Sequence, residues 1–97
     1  MQKKAQALLE QFGFTKVQAA LFYAGFIGDP MVMAQLARAA NVPRTSALYV
    51  MPELVRRGFF KQQRKGVRTY YRAASGEELI ATVHERERLV RQFLKLC

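Results

Sequence analysis

Between Pro43 and Arg72 the chain collects side chains suited to holding anions. Arg44, Thr45 and Ser46 stand directly behind Pro43, and Arg56, Arg57, Lys61, Arg64, Lys65, Arg68 and Arg72 follow. A guanidinium is a planar fork matched to a phosphate or to the edge of guanine, and short hydroxyls can reach phosphates and base edges. The net charge of +9 is concentrated here: residues 1–43 carry +2, residues 44–72 carry +7, and residues 73–97 are neutral. A solvated surface usually mixes signs, so a single-sign block inside a folded segment points to a polyanionic partner, nucleic acid or anionic lipid.

Other chemistry is poorly provided for. His84 is the sole histidine, Asp29 the sole aspartate and Cys97 the sole cysteine, so no Ser/His/Asp arrangement, internal disulfide or metal cluster can be assembled. His84 lies among Glu85, Arg86, Glu87 and Arg88, which reads as a solvated helix. No enzyme activity, cofactor or metal is expected. The 97 residues, 51% hydrophobic and 24% charged, make one small folded domain with little room for a deep substrate cavity. No apolar run approaches the roughly 18 residues needed to cross a bilayer. Lys3 and Lys4 precede AQALLEQF, which is amphipathic and unlike a signal peptide. A reducing, cytoplasmic setting without membrane attachment is the expectation.

The basic block needs elements to hold it. Ala5, Leu8, Leu9 and Phe12 recur at helical spacing until Gly13, and Thr15 can cap a second helix carrying Val17, Ala20, Leu21 and Ala24 up to Gly28. Met31–Met33 is too short to classify. Ala34–Ala40 predicts a third helix closed by Asn41, and Pro43 suits the first turn of a fourth, with Ala47, Leu48, Met51, Leu54 and Val55 inward until Gly58. Phe59–Arg64 and Val67–Arg72 then read as strands joined at Lys65-Gly66 in a tight hairpin. Ser75, with Glu77 and Glu78 behind it, opens a last helix that can run to Cys97.

Helix, short turn, helix and basic hairpin is the order of a winged helix-turn-helix, an α+β, mainly helical fold with a two-stranded wing. Residues 1–74 would form the DNA-binding domain and residues 75–97 a C-terminal dimerisation helix. The Asn41–Arg44 connection lets two helices cross steeply, so that the second can enter a major groove about 12 Å wide. Arg44, Thr45 and Ser46 would read bases from its first turn, with Tyr49 one turn on. Arg64, Lys65 and Arg68 at the wing tip would reach phosphates or a minor groove, and Arg56, Arg57 and Lys61 would extend the patch. Double-stranded DNA is the expected partner. For Tyr49, Tyr70 and Tyr71 a place in the core is nevertheless the favoured reading, with one of the strand tyrosines exposed.

The stretch LEQFGFTKVQAALFYAGF, then AQLARAANVPRTSALYVMPELVRRGFF, then YYRAASGEEL resembles the N-terminal domain of TrmB-family transcriptional regulators, a mainly archaeal group. The most specific pieces are Gly13-Phe14-Thr15, Val42-Pro43-Arg44, Leu54-Val55 with Gly58, and Tyr71-Arg72-Ala73. The resemblance implies winged-helix DNA binding and transcription regulation. The family usually has tyrosine where Leu48 stands and glutamate or a similar residue where Pro52 stands; here the tyrosine comes one position later, as Tyr49. Members continue into a sugar-binding effector domain, and this chain stops where that would begin. No small-molecule effector domain is therefore expected within it, whether the chain is a minimal repressor or a piece of something longer.

Two other readings share the fold: a protein-interaction module with an acidic partner, and sequence-independent coating of DNA. Pro52 predicts a kink or break near Met51, because its ring clashes with the carbonyl of residue 48. In the last helix Ile80, Val83, Val90 and Leu94 recur in steps of three and four around Glu87. They predict a homodimer seam, with packing of that helix on the first helix as the rival.

Overall fold

Two of the helices start where a side chain takes over backbone N–H groups that the first turn leaves free. The computed structural model describes residues 2–97. Thr15 opens α2 (Lys16–Ile27) after α1 (Gln2–Phe12). Its hydroxyl accepts from the Gln18 N–H at 3.1 Å, and the Gln18 side chain accepts from the Thr15 N–H at 2.9 Å. Ser75 and Glu78 repeat this reciprocal box at the start of the last helix, at 3.1 and 2.8 Å. Both starts follow the sequence expectation.

Between them lie β1 (Met31–Val32), α3 (Met33–Ala40), α4 (Arg44–Arg56), β2 (Phe60–Lys65) and β3 (Arg68–Ala73), and α5 (Gly76–Leu96) closes the chain. Asn41 takes the left-handed conformation, φ 57° and ψ 44°. In the turn it makes, the Asn41 N–H donates to the Arg38 carbonyl and the Val42 N–H to that of Ala37, both at 3.0 Å. The chain is thereby turned sharply from α3 into α4. Pro43 is the extended residue just before α4 (φ −60°, ψ 144°) instead of its first helical residue.

The sheet is antiparallel with order β1-β3-β2. It has three strands where two were expected: Met31 pairs with Tyr71 and Val32 with Tyr70. The hairpin also sits one residue later than expected, since Lys65 pairs with Arg68 and the turn is Gly66-Val67. Gly66 has φ 62°, a conformation that costs a side-chain-bearing residue about 1 kcal/mol or more.

The core is aromatic. Phe14, Phe22, Phe59 and Phe60 are buried with Leu21, Leu36, Met51 and Leu54. The Phe14 and Phe59 rings meet edge-to-face at 4.8 Å, and Phe22 touches Phe60 at 5.9 Å. Each buried ring or branched chain contributes roughly 1.5–3 kcal/mol. This cluster bolts α2, α4 and the root of the wing into one body. In α5, by contrast, no residue is buried.

Two expectations about α4 are corrected. Leu48 is not a core residue but 49% exposed, while Ala47, Met51 and Leu54 form the buried stripe. Nor does the helix break at Met51: it runs as one element through Pro52. Pro52 is exposed, so its ring meets the Leu48 carbonyl on the solvent side, where that carbonyl can tilt towards water without disturbing the core.

Candidate nucleic-acid interface

Helical phase decides which side chains of α4 face outwards. With Ala47, Met51 and Leu54 inward, residues three and four apart on the opposite side are Thr45, Tyr49, Pro52 and Arg56, and all four are exposed. Tyr49 is 87% exposed, so the core reading for it is overturned. It stands in the middle of the outward stripe, a rigid aromatic plate with a hydroxyl at its end. Arg44, also exposed, flanks this stripe at the helix start, whereas Ser46 is half-buried to one side. Arg56 is ion-paired with Glu53 one turn back, an exposed pair that contributes little and can open to an anion.

In the wing, strand alternation sorts the cations. Lys61 pairs with Arg72, Gln63 with Tyr70 and Lys65 with Arg68, so these six share one face. The other face carries Gln62, Tyr71, Arg64 and Thr69 outward from the buried Phe60 and Ala73. Tyr70 and Tyr71 are both half-buried, although they point oppositely as expected. Tyr71 packs against the core and accepts a hydrogen bond from the Gln62 amide at 3.4 Å. The Lys65 ammonium lies 5.7 Å from the Tyr70 ring centre, which holds it over the hairpin.

Lys61, exposed like Arg56, is likewise ion-paired. Its ammonium is 2.8 Å from Glu78, and Arg72 reaches the same carboxylate at 3.3 Å. The Lys61 hydrogen bond, the Ser75 N–H and Arg72 hold the Glu78 carboxyl down to about 2. Glu78 thus offsets one of the two charges at the wing root and ties it to α5. Arg64, Lys65 and Arg68 remain exposed towards the tip, with no carboxylate partner among the described residues. The positive field is thereby moved outwards, away from the core.

Arg57 and Arg86 form a separate pair. The Arg57 guanidinium is 5.2 Å from the Phe59 ring centre, and Arg86 is 5.6 Å from the same ring and 5.7 Å from Phe12. Burial, then the charge of Arg86, pulls Arg57 below the usual guanidinium range. Arg57 therefore belongs to the packing under α5 and not to the outward face of α4. Val67, missed by sequence reasoning, is 91% exposed at the wing tip; strand periodicity had assigned it to β3. Among the described residues no three His, Cys, Asp or Glu side chains gather as a metal site, and no helix is long and apolar enough to cross a membrane.

The four predicted dimer residues all lie on the open side of α5, with Ile80 58%, Val83 41%, Val90 56% and Leu94 63% exposed. Ile80 and Val83 also line an apolar groove of about 690 Å³ with Leu8, Phe12, Phe26 and Ile27 from α1 and α2, and His84 stands at its edge.

Residues 9–77 match the sequence pattern of the family described as sugar-specific transcriptional regulator TrmB. Among solved structures, the fold is similar to the archaeal chromatin protein TrmBL2, whose structure shows a novel mode of DNA binding. There the TM-score is 0.85 and the identity 21%, over 98% of this chain and 37% of that one. It is also similar to MepR, a transcription regulator of a Staphylococcus aureus multidrug efflux pump, at TM-score 0.58 and 17% identity, covering 99% and 75% of the two chains. NadR in complex with 4-hydroxyphenylacetate aligns at TM-score 0.64 and 17% identity, covering 95% and 71%. The chain thus spans little more than a third of TrmBL2. No protein of curated function matches it in sequence.

Proposed function

The chain belongs to the TrmB family of transcriptional regulators, and from that premise we propose that it is a non-enzymatic, cytoplasmic regulator binding double-stranded DNA in a sequence-specific way. The reading rests on one observation above all: the outward stripe of α4, Thr45, Tyr49, Pro52 and Arg56, has no packing role. With Arg44 beside it, this stripe is the part of the molecule a major groove can accept. Arg44 and Thr45 read base edges, Ser46 assists from the side, and Tyr49 packs on the sugar-phosphate wall or a thymine methyl. The wing cations Arg64, Lys65 and Arg68 hold adjacent phosphates, and Lys61 acts by orienting the wing. Residues 1–74 form the DNA-binding unit, and residues 75–97 join two copies into a homodimer that places two α4 helices on half-sites about one helical turn apart.

Selection from a random duplex pool followed by titration of the winning site tests this directly. Arg44→Ala should cost on the order of 1–3 kcal/mol on the selected site and relax one base position, with little loss on random DNA. Equal losses on both would sink the assignment. A second reading, coating of DNA without sequence preference, draws support from the likeness to a chromatin protein. It predicts a ratio of specific to random affinity near one at fixed salt.

A further inference from the structure

Two apolar surfaces stand exposed among the described residues of this chain. One is the groove between α1, α2 and the first half of α5, walled by Leu8, Phe12, Phe26, Ile27, Ile80 and Val83. The other is the second half of α5, where Leu89, Val90, Phe93, Leu94 and Leu96 are each more than half exposed. Apart from Leu48, Tyr49 and Val67, every exposed large apolar side chain among the described residues lies on α1, α2 or α5. Monomeric soluble proteins rarely leave so contiguous an apolar surface in water.

We propose that the second half of α5 from one copy fills the groove of a second copy, and reciprocally. This proposal rests on the homodimer reading above and specifies its geometry. The width of the stripe argues for it. At 3.6 residues per turn the five apolar side chains of the second half span an arc of about 160°, much wider than the narrow seam of a two-stranded coiled coil. An arc of that width fits a helix lying between several others, as a groove with walls on α1, α2 and α5 provides. A small apolar ligand in the groove would leave the distal stripe uncovered, whereas a second copy covers both surfaces at once.

The geometry has a consequence for direction. If the second half of each α5 packs on the first half of the other, the two helices run antiparallel and cross near Arg86 and Glu87. Glu87, which interrupts the stripe, is already bonded to Arg91 at 2.8–2.9 Å, so no lone carboxylate is buried at the crossing. Helix α5 has 21 residues and is about 31 Å long. The two Cys97 thiols therefore sit at opposite ends of the assembly, far beyond the about 7 Å between Cα atoms that a disulfide permits.

Sedimentation and oxidation of the full chain test the arrangement. The wild type should sediment at twice the chain mass. Ile27→Asp, on α2, and Leu94→Asp, on α5, should each raise the dimer dissociation constant by at least about 100-fold, as expected for an unpaired carboxylate placed in an apolar interface. Circular dichroism and thermal melting should show both variants folded, as their exposed positions require. Mild oxidation of the wild-type dimer should leave its chains separable without reductant. A dimer that Leu94→Asp dissociates but Ile27→Asp leaves intact, or one that oxidation rapidly crosslinks through Cys97, has parallel α5 helices and overturns the exchange alone. A wild type that stays monomeric at tens of micromolar overturns the homodimer reading as well. Groove occupancy by a co-purifying small apolar molecule in a monomer would do the same.

Discussion

The α4 and wing end of the molecule and the α1, α2 and α5 end are both exposed, yet they are exposed in opposite ways. At the first, single apolar side chains (Leu48, Tyr49, Val67) stand isolated among arginines and lysines. At the second, apolar side chains cluster in the groove and along the second half of α5, beside self-paired charges such as Glu85 with Arg88 and Glu87 with Arg91. A polyelectrolyte partner needs uncompensated charge spread over a contour, and its binding is sensitive to salt. An apolar partner needs contiguity, with charges already satisfied so that none is buried alone. The two ends are separated by net charge, +7 over residues 44–72 against 0 over residues 73–97, as well as by the clustering of their exposed apolar side chains.

The two ends share one core, and the strongest way to break the contrast is to remove it. Phe59 touches Phe14, Phe22 and Phe12 and lies under both Arg57 and Arg86. Phe59→Ala should cost about 3–5 kcal/mol in urea denaturation and abolish DNA binding and dimerisation together. Loss of only one would mean that the ends fold independently. Gly25→Ala probes the same junction more gently. A Cβ there would lie 2.6 Å from the Phe60 ring, so the ring must shift, at a cost of roughly 1–3 kcal/mol, and the wing root should be displaced with it.

Of two more local changes, the first should separate the ends. Arg68→Ala should weaken binding to every duplex alike and reduce the slope of log affinity against log salt by about 1, with sedimentation unchanged. Ser75→Ala removes the hydroxyl that accepts from the Glu78 N–H and should cost about 1 kcal/mol, read by thermal melting. The smallest effect is expected from Glu78→Gln. The Glu78 carboxyl falls from 4.5 to about 2 on folding, so its contribution is complete above pH 4.5 and is lost as pH falls towards 2. The wild type should lose stability across that window more steeply than Glu78→Gln, compared by melting at successive pH values.

The helices were legible because their ends are written locally. Thr15 with Gln18, Ser75 with Glu78, and Asn41 at the α3–α4 turn each depend on residues within a few positions. Strand β1 was not, because two residues carry no periodicity and their partners, Tyr70 and Tyr71, are about forty positions away. Tyr49 and Leu48 were misjudged for a different reason: an apolar or aromatic side chain on a binding face obeys the same composition rules as one in the core. Only the phase fixed by Ala47, Met51 and Leu54 distinguishes them. At the candidate site the basic block was visible as a sum, but its division was not. Lys61 and Arg72 share the single carboxylate of Glu78, a contact between the wing and the next helix that no local pattern reveals.

That carboxylate has a mechanical meaning. Because Lys61 on β2 and Arg72 on β3 both grip Glu78 in the first turn of α5, the wing root and the long helix are pinned together near one end of that helix. A tilt of 10° about that pin would swing the far end of a helix of about 31 Å through roughly 5 Å. The lever is thus long on the apolar side and short on the basic side. A rotation of the wing root that carries the pin with it would be magnified at the far end of α5, and a displacement imposed on that end would be geared down before it reached the wing.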